Sequence, residues 1–163
     1  MSEFLVGLGL DFHRLAPGEE LILGGLQIES EKGTVAHSDG DVLIHAVCDA
    51  LLGAADLGDI GVHFPDDDPN YEGVSSVKLL LEVIETLREK DLRPVNVDAT
   101  IILQRPKVNH LRARMEANLE EKLSCPVNVK ATTTERMGSI GRGEGIGAQA
   151  IVSLKNREKE SSK

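Results

Sequence analysis

Phe4-Leu-Val-Gly-Leu-Gly-Leu-Asp-Phe-His13 reads as a β-strand alternating around its glycines and ending at Asp11-Phe12-His13. Strand side chains point to opposite faces in turn, so Asp11 and His13 project to the same side. Working outward, Leu21 to Ile28 reads as a second strand with a bend or bulge at Gly24-Gly25. Residues 29–40 are polar and punctuated by Gly33 and Gly40, which predicts a loop. Ser38 or Asp39 is placed to cap a helix to about Ala54, with apolar residues at 43, 44, 47, 51 and 52. Residues 56–74 concentrate turn chemistry and predict a long functional loop. A second helix starts at Ser75 or Ser76 and runs to about Lys90, followed by a strand over 95–103 and a charged helix over 108–123. Val127 to Ala131 is a strand, 132–145 a Thr- and Gly-rich loop, and 146–155 a last strand. This order predicts an α+β fold: one domain over residues 1–155, a mixed sheet covered on one face by about three helices, then a charged, frayed tail over 156–163.

Composition narrows the function. With 163 residues, no Trp, one Tyr and three Phe, the core must be aliphatic. No apolar run reaches the ~20 residues that cross a bilayer, and Met1-Ser2-Glu3 does not open a signal peptide. These features predict a cytoplasmic protein, bacterial in preference to a processed plastid form. Cys48 and Cys125 form no CxxC pair and read as buried free thiols. A net charge of −9 without a basic cluster in the body of the chain argues against nucleic acid or an anionic membrane as partner. An acidic protein with an anionic substrate needs metal ions, backbone N–H groups and a few aimed cations.

Three groups of residues supply them. Asp11, His13 and the helical His45 make a metal site of two imidazoles and one carboxylate, with a fourth position open. The same set suits zinc or non-haem iron(II). Asp41 and Asp49 flank His45 by four residues on the helix, so either is placed to orient it. In the second group, Thr132, Thr133 and Thr134 leave a strand and offer hydroxyls and N–H groups to phosphates, a base or a ribose. Glu135 adds a hard ligand for Mg²⁺ or Mn²⁺, and Arg142 lies in the same short stretch. The third group is loop chemistry. His37 and Ser38, near a helix start, are placed to receive a phosphate, and Asp59 with the Gly61 backbone to bind hydroxyls. The run Asp66-Asp67-Asp68 is by itself a solvated turn.

Together these segments resemble the 2-C-methyl-D-erythritol 2,4-cyclodiphosphate synthase family of the non-mevalonate isoprenoid pathway. The matching pieces include Gly9-Leu-Asp-Phe-His13, Ala36-His-Ser-Asp-Gly-Asp-Val, His45, Leu57-Gly-Asp-Ile-Gly, Pro106-Lys107, Val127-Asn-Val-Lys-Ala-Thr-Thr-Thr-Glu and Gly141-Arg-Gly-Glu-Gly-Ile, in order over nearly the whole chain. The resemblance implies a homotrimer with active sites between subunits. It implies conversion of 4-diphosphocytidyl-2-C-methyl-D-erythritol 2-phosphate to the cyclic diphosphate and CMP, by attack of the 2-phosphate on the β-phosphorus. It further implies one Zn²⁺ per subunit on Asp11, His13 and His45, a second divalent ion on Glu135, and transition-state stabilisation by His37 and Thr133. Asp59, Ile60 and Gly61 would meet the methylerythritol hydroxyls, with Phe64, Pro65 and Asp66 to Asp68 lining that side. Leu103, Pro106, Lys107 and Asn109 would join Ala131 and Thr132 around the cytidine and phosphates. Leu10 and Ser139 stand where the family often has aromatic residues, facing the threefold axis. The alternative is a non-catalytic trimer binding a nucleotide or isoprenoid diphosphate.

Overall fold

Strand β1, Leu5–Pro17, organises the molecule. In the computed structural model, which describes residues 4–65, 69–71 and 73–157, β1 pairs antiparallel with β7, Gly145–Asn156, along nearly its whole length. It is longer than the sequence pattern indicates because β4, Lys32–Val35, pairs with Arg14–Pro17. The expected 29–40 loop thus contains a strand, one that exists through a long-range partner and not through a local pattern. The remaining strands are β5, Leu92–Ile102, antiparallel to β7, and β6, Val127–Thr132, parallel to β5. The five-stranded order is β4-β1-β7-β5-β6, a mixed sheet as expected.

The predicted strand from Leu21 to Ile28 is instead a hairpin, β2 (Leu21–Leu23) and β3 (Leu26–Ile28). Gly24 and Gly25 both take positive φ, the conformation of a type I′ turn, so they reverse the chain where a bend or bulge within one strand is expected. The helices are α1 (Val42–Ala54), the four-residue α2 (Ile60–His63), α3 (Ser76–Glu89), α4 (Arg112–Leu123) and the four-residue α5 (Gly138–Gly141). The two short helices lie in segments expected to be loops. The third predicted helix starts later than residue 108 because Asn109–Leu111 forms a 3₁₀ turn first.

One face of the sheet is buried, through Val97, Ala99, Ile101, Ala148, Ala150 and Val152 among others, and the core is aliphatic as the composition requires. Helix α1 is apolar nearly all round and packs on β1 and β7, with α3 against α1 and α4 against β6. The other face of β1 is apolar yet exposed: Val6, Leu8, Leu10 and Phe12. Cys48 and Cys125 are buried and free, with burial pushing both thiols up, Cys125 to about 11. No helix is long and apolar enough to cross a membrane.

The N-cap of α1 is Asp41, not Ser38 or Asp39. Its fully buried carboxylate accepts from Ile44 N–H at 3.0 Å, Gly24 N–H at 3.0 Å and Gly25 N–H at 2.7 Å. One side chain therefore closes the helix and holds the β2–β3 turn. Asp41→Ala should lower stability by about 3 kcal/mol or more, since a lost cap and stranded turn N–H groups add up. Urea denaturation reads this directly, and a loss below about 1 kcal/mol would contradict the account.

Candidate metal centre

Asp11 and His13 lie on the α1-facing side of β1, on the same face as Gly7 and Gly9. A Cβ on Gly9 would sit 1.9 Å from Ala46 O, and one on Gly7 2.0 Å from Ala50 O. Only hydrogen at these positions lets α1 lie so close to β1. That approach brings His45 to the two strand residues.

The three donor atoms form a small triangle. His13 Nε2 is 3.0 Å and His45 Nδ1 3.1 Å from Asp11 Oδ2, and the two nitrogens are 3.3 Å apart. Ligands at ~2.0–2.1 Å from a tetrahedral zinc stand about 3.3–3.4 Å from one another, so the set fits such an ion with little movement. Among the described residues this is the grouping of three candidate ligands within mutual reach. Asp11 and His13 keep some exposure, which leaves an open side. Burial alone would raise the Asp11 carboxyl, but hydrogen bonds and charge from His13 and His45 hold it well below the usual carboxylate range. Burial pulls His45 down, yet the Asp11 bond and the charges of Asp11, Asp41 and Asp39 leave it raised overall. The locus is a concentrated negative field, suited to a cation.

Neither Asp41 nor Asp49 orients His45. Asp41 is spent on the cap, and Asp49 accepts from Ile60 N–H at 2.8 Å. The partners of His45 Nε2 are Ser76 Oγ at 2.8 Å and Ser38 Oγ at 3.3 Å. The sequence pattern marks Ser76 only as a helix start, and nothing in its spacing points to His45. His37 Nε2 is buried without a hydrogen-bond partner.

The other predicted residues fall in separate places. Asp59 caps α2 through Val62 N–H at 3.0 Å, with Ile60 half-buried and Gly61 exposed behind it. Phe64 packs edge-on against Tyr71, and Pro65 is exposed. Asp66, Asp67 and Asp68 lie outside the described residues, as does the tail beyond Arg157.

Thr133 Oγ donates to Glu135 Oε1 and accepts Glu135 N–H, both at 3.1 Å. Glu135 and Arg136 both take left-handed φ, of 53° and 65°, and Gln104 Oε1 accepts the Arg136 N–H. This turn exposes the Glu135 carboxylate. Thr134 Oγ donates to Met137 O at 2.7 Å. Arg142 is held in a fork by exposed Glu144, and Ser139 is exposed on α5. Leu103, Pro106, Lys107 and Asn109 do meet Ala131, Thr132 and Thr133, with Val108, around a cleft of about 50 Å³.

The two halves are apart within one chain. Asp11, Ala148, Ile101 and Ala131 occupy one row across the sheet. Three strand spacings separate its ends, about 14 Å.

The YgbB family model matches residues 4–155. The chain belongs to the YgbB family. Among curated relatives, the 2-C-methyl-D-erythritol 2,4-cyclodiphosphate synthase of Alkaliphilus metalliredigens is 56% identical over 91% of this chain and 96% of its own. That of Thioalkalivibrio sulfidiphilus is 52% identical over 96% and 99%. A solved synthase in its CDP-bound form superposes with a TM-score of 0.85 at 35% identity, covering 92% of this chain and 99% of that one. The bifunctional IspDF of Campylobacter jejuni gives a TM-score of 0.92 at 40% identity, covering 96% of this chain and 43% of that longer one. The YgbB match thus spans both the triangle and the Thr-Glu turn.

Proposed function

We propose that this chain is a 2-C-methyl-D-erythritol 2,4-cyclodiphosphate synthase. The observation that carries the reading is the Asp11–His13–His45 triangle, sized for a tetrahedral ion, in a chain whose relatives bear that name. An oxygen of the substrate's 2-phosphate attacks the β-phosphorus, the bond from that phosphorus to the bridging oxygen breaks, and CMP departs with the oxygen. No protein nucleophile takes part, so the chain's task is positioning and charge stabilisation. Zn²⁺ on Asp11, His13 and His45 would polarise the phosphoryl group under attack, with Mg²⁺ or Mn²⁺ on Glu135 beside the diphosphate.

The protein groups have distinct parts. The unpartnered Nε2 of His37 is free to donate to a phosphate oxygen. Asp59 and the backbone at Ile60 and Gly61 meet the methylerythritol hydroxyls, with Phe64 and Pro65 beside them and Ser38 on the phosphate side. The cleft at Leu103, Pro106, Lys107, Asn109, Ala131 and Thr132 takes the cytidine, and Thr133 and Thr134 the phosphates next to it. Arg142 and Ser139 border the same site.

The active form is a homotrimer with each site shared between subunits. Two features support this: about 14 Å separates the site's halves in one chain, and an apolar sheet face stands uncovered at Val6, Leu8, Leu10 and Phe12. The working unit is a single domain over 1–155, in the cytoplasm, where its two thiols stay reduced.

Phosphorus NMR of the protein with substrate, Zn²⁺ and Mg²⁺ tests the reaction. CMP and a coupled pair of cyclic diphosphate signals should appear together and vanish with chelator. Substrate that binds but stays intact would shift the reading to a non-catalytic binder. Glu135→Gln should retain zinc while turnover falls by at least ~10²-fold, because an aimed charge is gone from the diphosphate. Unchanged turnover would remove Glu135 from the site.

A further inference from the structure

His45 offers Nδ1 to the triangle, which leaves Nε2 on the far edge of its ring, 2.8 Å from Ser76 Oγ. Ser76 is fully buried, and its hydroxyl makes a very short hydrogen bond to Asp39 Oδ1. The Ser76 N–H donates to the other oxygen of the same carboxylate at 2.9 Å. A carboxylate only accepts, so the one hydroxyl proton of Ser76 goes to Asp39 and its lone pairs face His45. His45 must then donate from Nε2. Each link fixes the direction of the next: His45 to Ser76 to Asp39.

Asp39 is itself held. Asp41 N–H donates to Oδ1 at 3.2 Å, and the Asp39 N–H donates to Val74 O at 3.1 Å. Ser76 opens the long helix α3, whose nominal cap, Ser75, makes no side-chain bond. A carboxylate from a different segment therefore takes the place of the cap, at the end of the helix that favours negative charge.

We propose that Ser76 and Asp39 are positioning residues for metal binding: they give the Nε2 proton of His45 a fixed partner, so that Nδ1 presents its lone pair to the Asp11–His13 pair. The inference rests on the metal reading above. Nδ1 already lies 3.1 Å from Asp11 Oδ2, on the side of the ring that faces the pair. A simple latch between α3 and the 37–41 loop would use the same bonds, yet it predicts lost stability and an unchanged metal site.

Zinc affinity, measured by competition with a chromophoric chelator, separates the two. Ser76→Ala should bind Zn²⁺ about 10–100-fold more weakly than the wild type while still folded. Asp39→Asn, which keeps the shape but weakens the acceptor, should fall between them, and it stands in if Ser76→Ala does not fold. In the zinc-loaded wild type the His45 Nε2 proton should be protected from solvent exchange in a ¹H–¹⁵N spectrum. Ser76→Ala should abolish that protection. A folded Ser76→Ala with affinity within twofold of wild type, or a wild-type Nε2 proton without protection, overturns the relay. If Asp11→Ala loses zinc while Ser76→Ala keeps it, the relay alone fails. A wild type that takes up no zinc overturns the metal reading and the relay with it.

Discussion

His45→Ala should purify without zinc, turn over at least ~10³-fold more slowly, and keep its fold. The triangle loses one of its two nitrogens, and Asp11 with His13 alone leaves two protein ligands where a catalytic zinc site has three. The rate estimate follows from the several kcal/mol a polarising ion contributes to transition-state charge, at about 1.4 kcal/mol per decade. Folding should survive because β1 and α1 are held by aliphatic contacts along their whole lengths, with Ala46, Val47, Ala50 and Leu51 all fully buried. Metal analysis together with circular dichroism of the same sample gives the answer. A variant that retains one zinc per chain, or more than a tenth of wild-type activity, would show that His45 is not a ligand.

Gly9→Ala should be worse for the fold than most core truncations. Its new Cβ would lie 1.9 Å from Ala46 O and 2.6 Å from Ala50 N, both backbone atoms that cannot rotate aside. Helix α1 must retreat by more than 1 Å or β1 must buckle, at a cost of about 4 kcal/mol or more. The residue before Ala46 is His45, so the retreat should also open the ligand triangle and weaken zinc binding by more than tenfold. Gly53→Ala on the same helix is the control. Nothing lies within 4 Å of its would-be Cβ, so it should be neutral or stabilising by up to ~1 kcal/mol. Thermal unfolding with and without zinc would show opposite signs for the two substitutions. Equal stability of Gly9→Ala and wild type would mean that the close approach is not a constraint.

What the sequence discloses here is chiefly what short-range periodicity encodes. Asp11 and His13 share a face because they stand two positions apart on a strand, and His45 lies on a helix whose apolar spacing is plain. The Thr-Glu turn is visible because polar and glycine residues crowd one stretch. Strand β4 is not visible, since Lys32-Gly-Thr-Val35 acquires its structure from pairing with residues 14–17. The Gly24-Gly25 turn is ambiguous in sequence, because the same pair suits a bulge or a reversal until Asp41 takes both N–H groups. The support of His45 is hidden for a related reason. Helical spacing favours Asp41 and Asp49, whereas the actual partner arrives from the start of another helix, 31 positions along the chain.

The two faces of β1 carry different duties at alternate positions: ligands and close-packing glycines inward, a row of apolar side chains outward. A strand read this way has a reading frame. Losing or gaining one residue between Leu5 and Leu10 would send Leu10 and Phe12 toward the helix and Asp11 and His13 toward the bare face, exchanging every duty at once. Most substitutions on this strand are local faults, but a single-codon deletion is a global one. Among descendants of such a chain, the length of this segment should therefore drift far less readily than its composition.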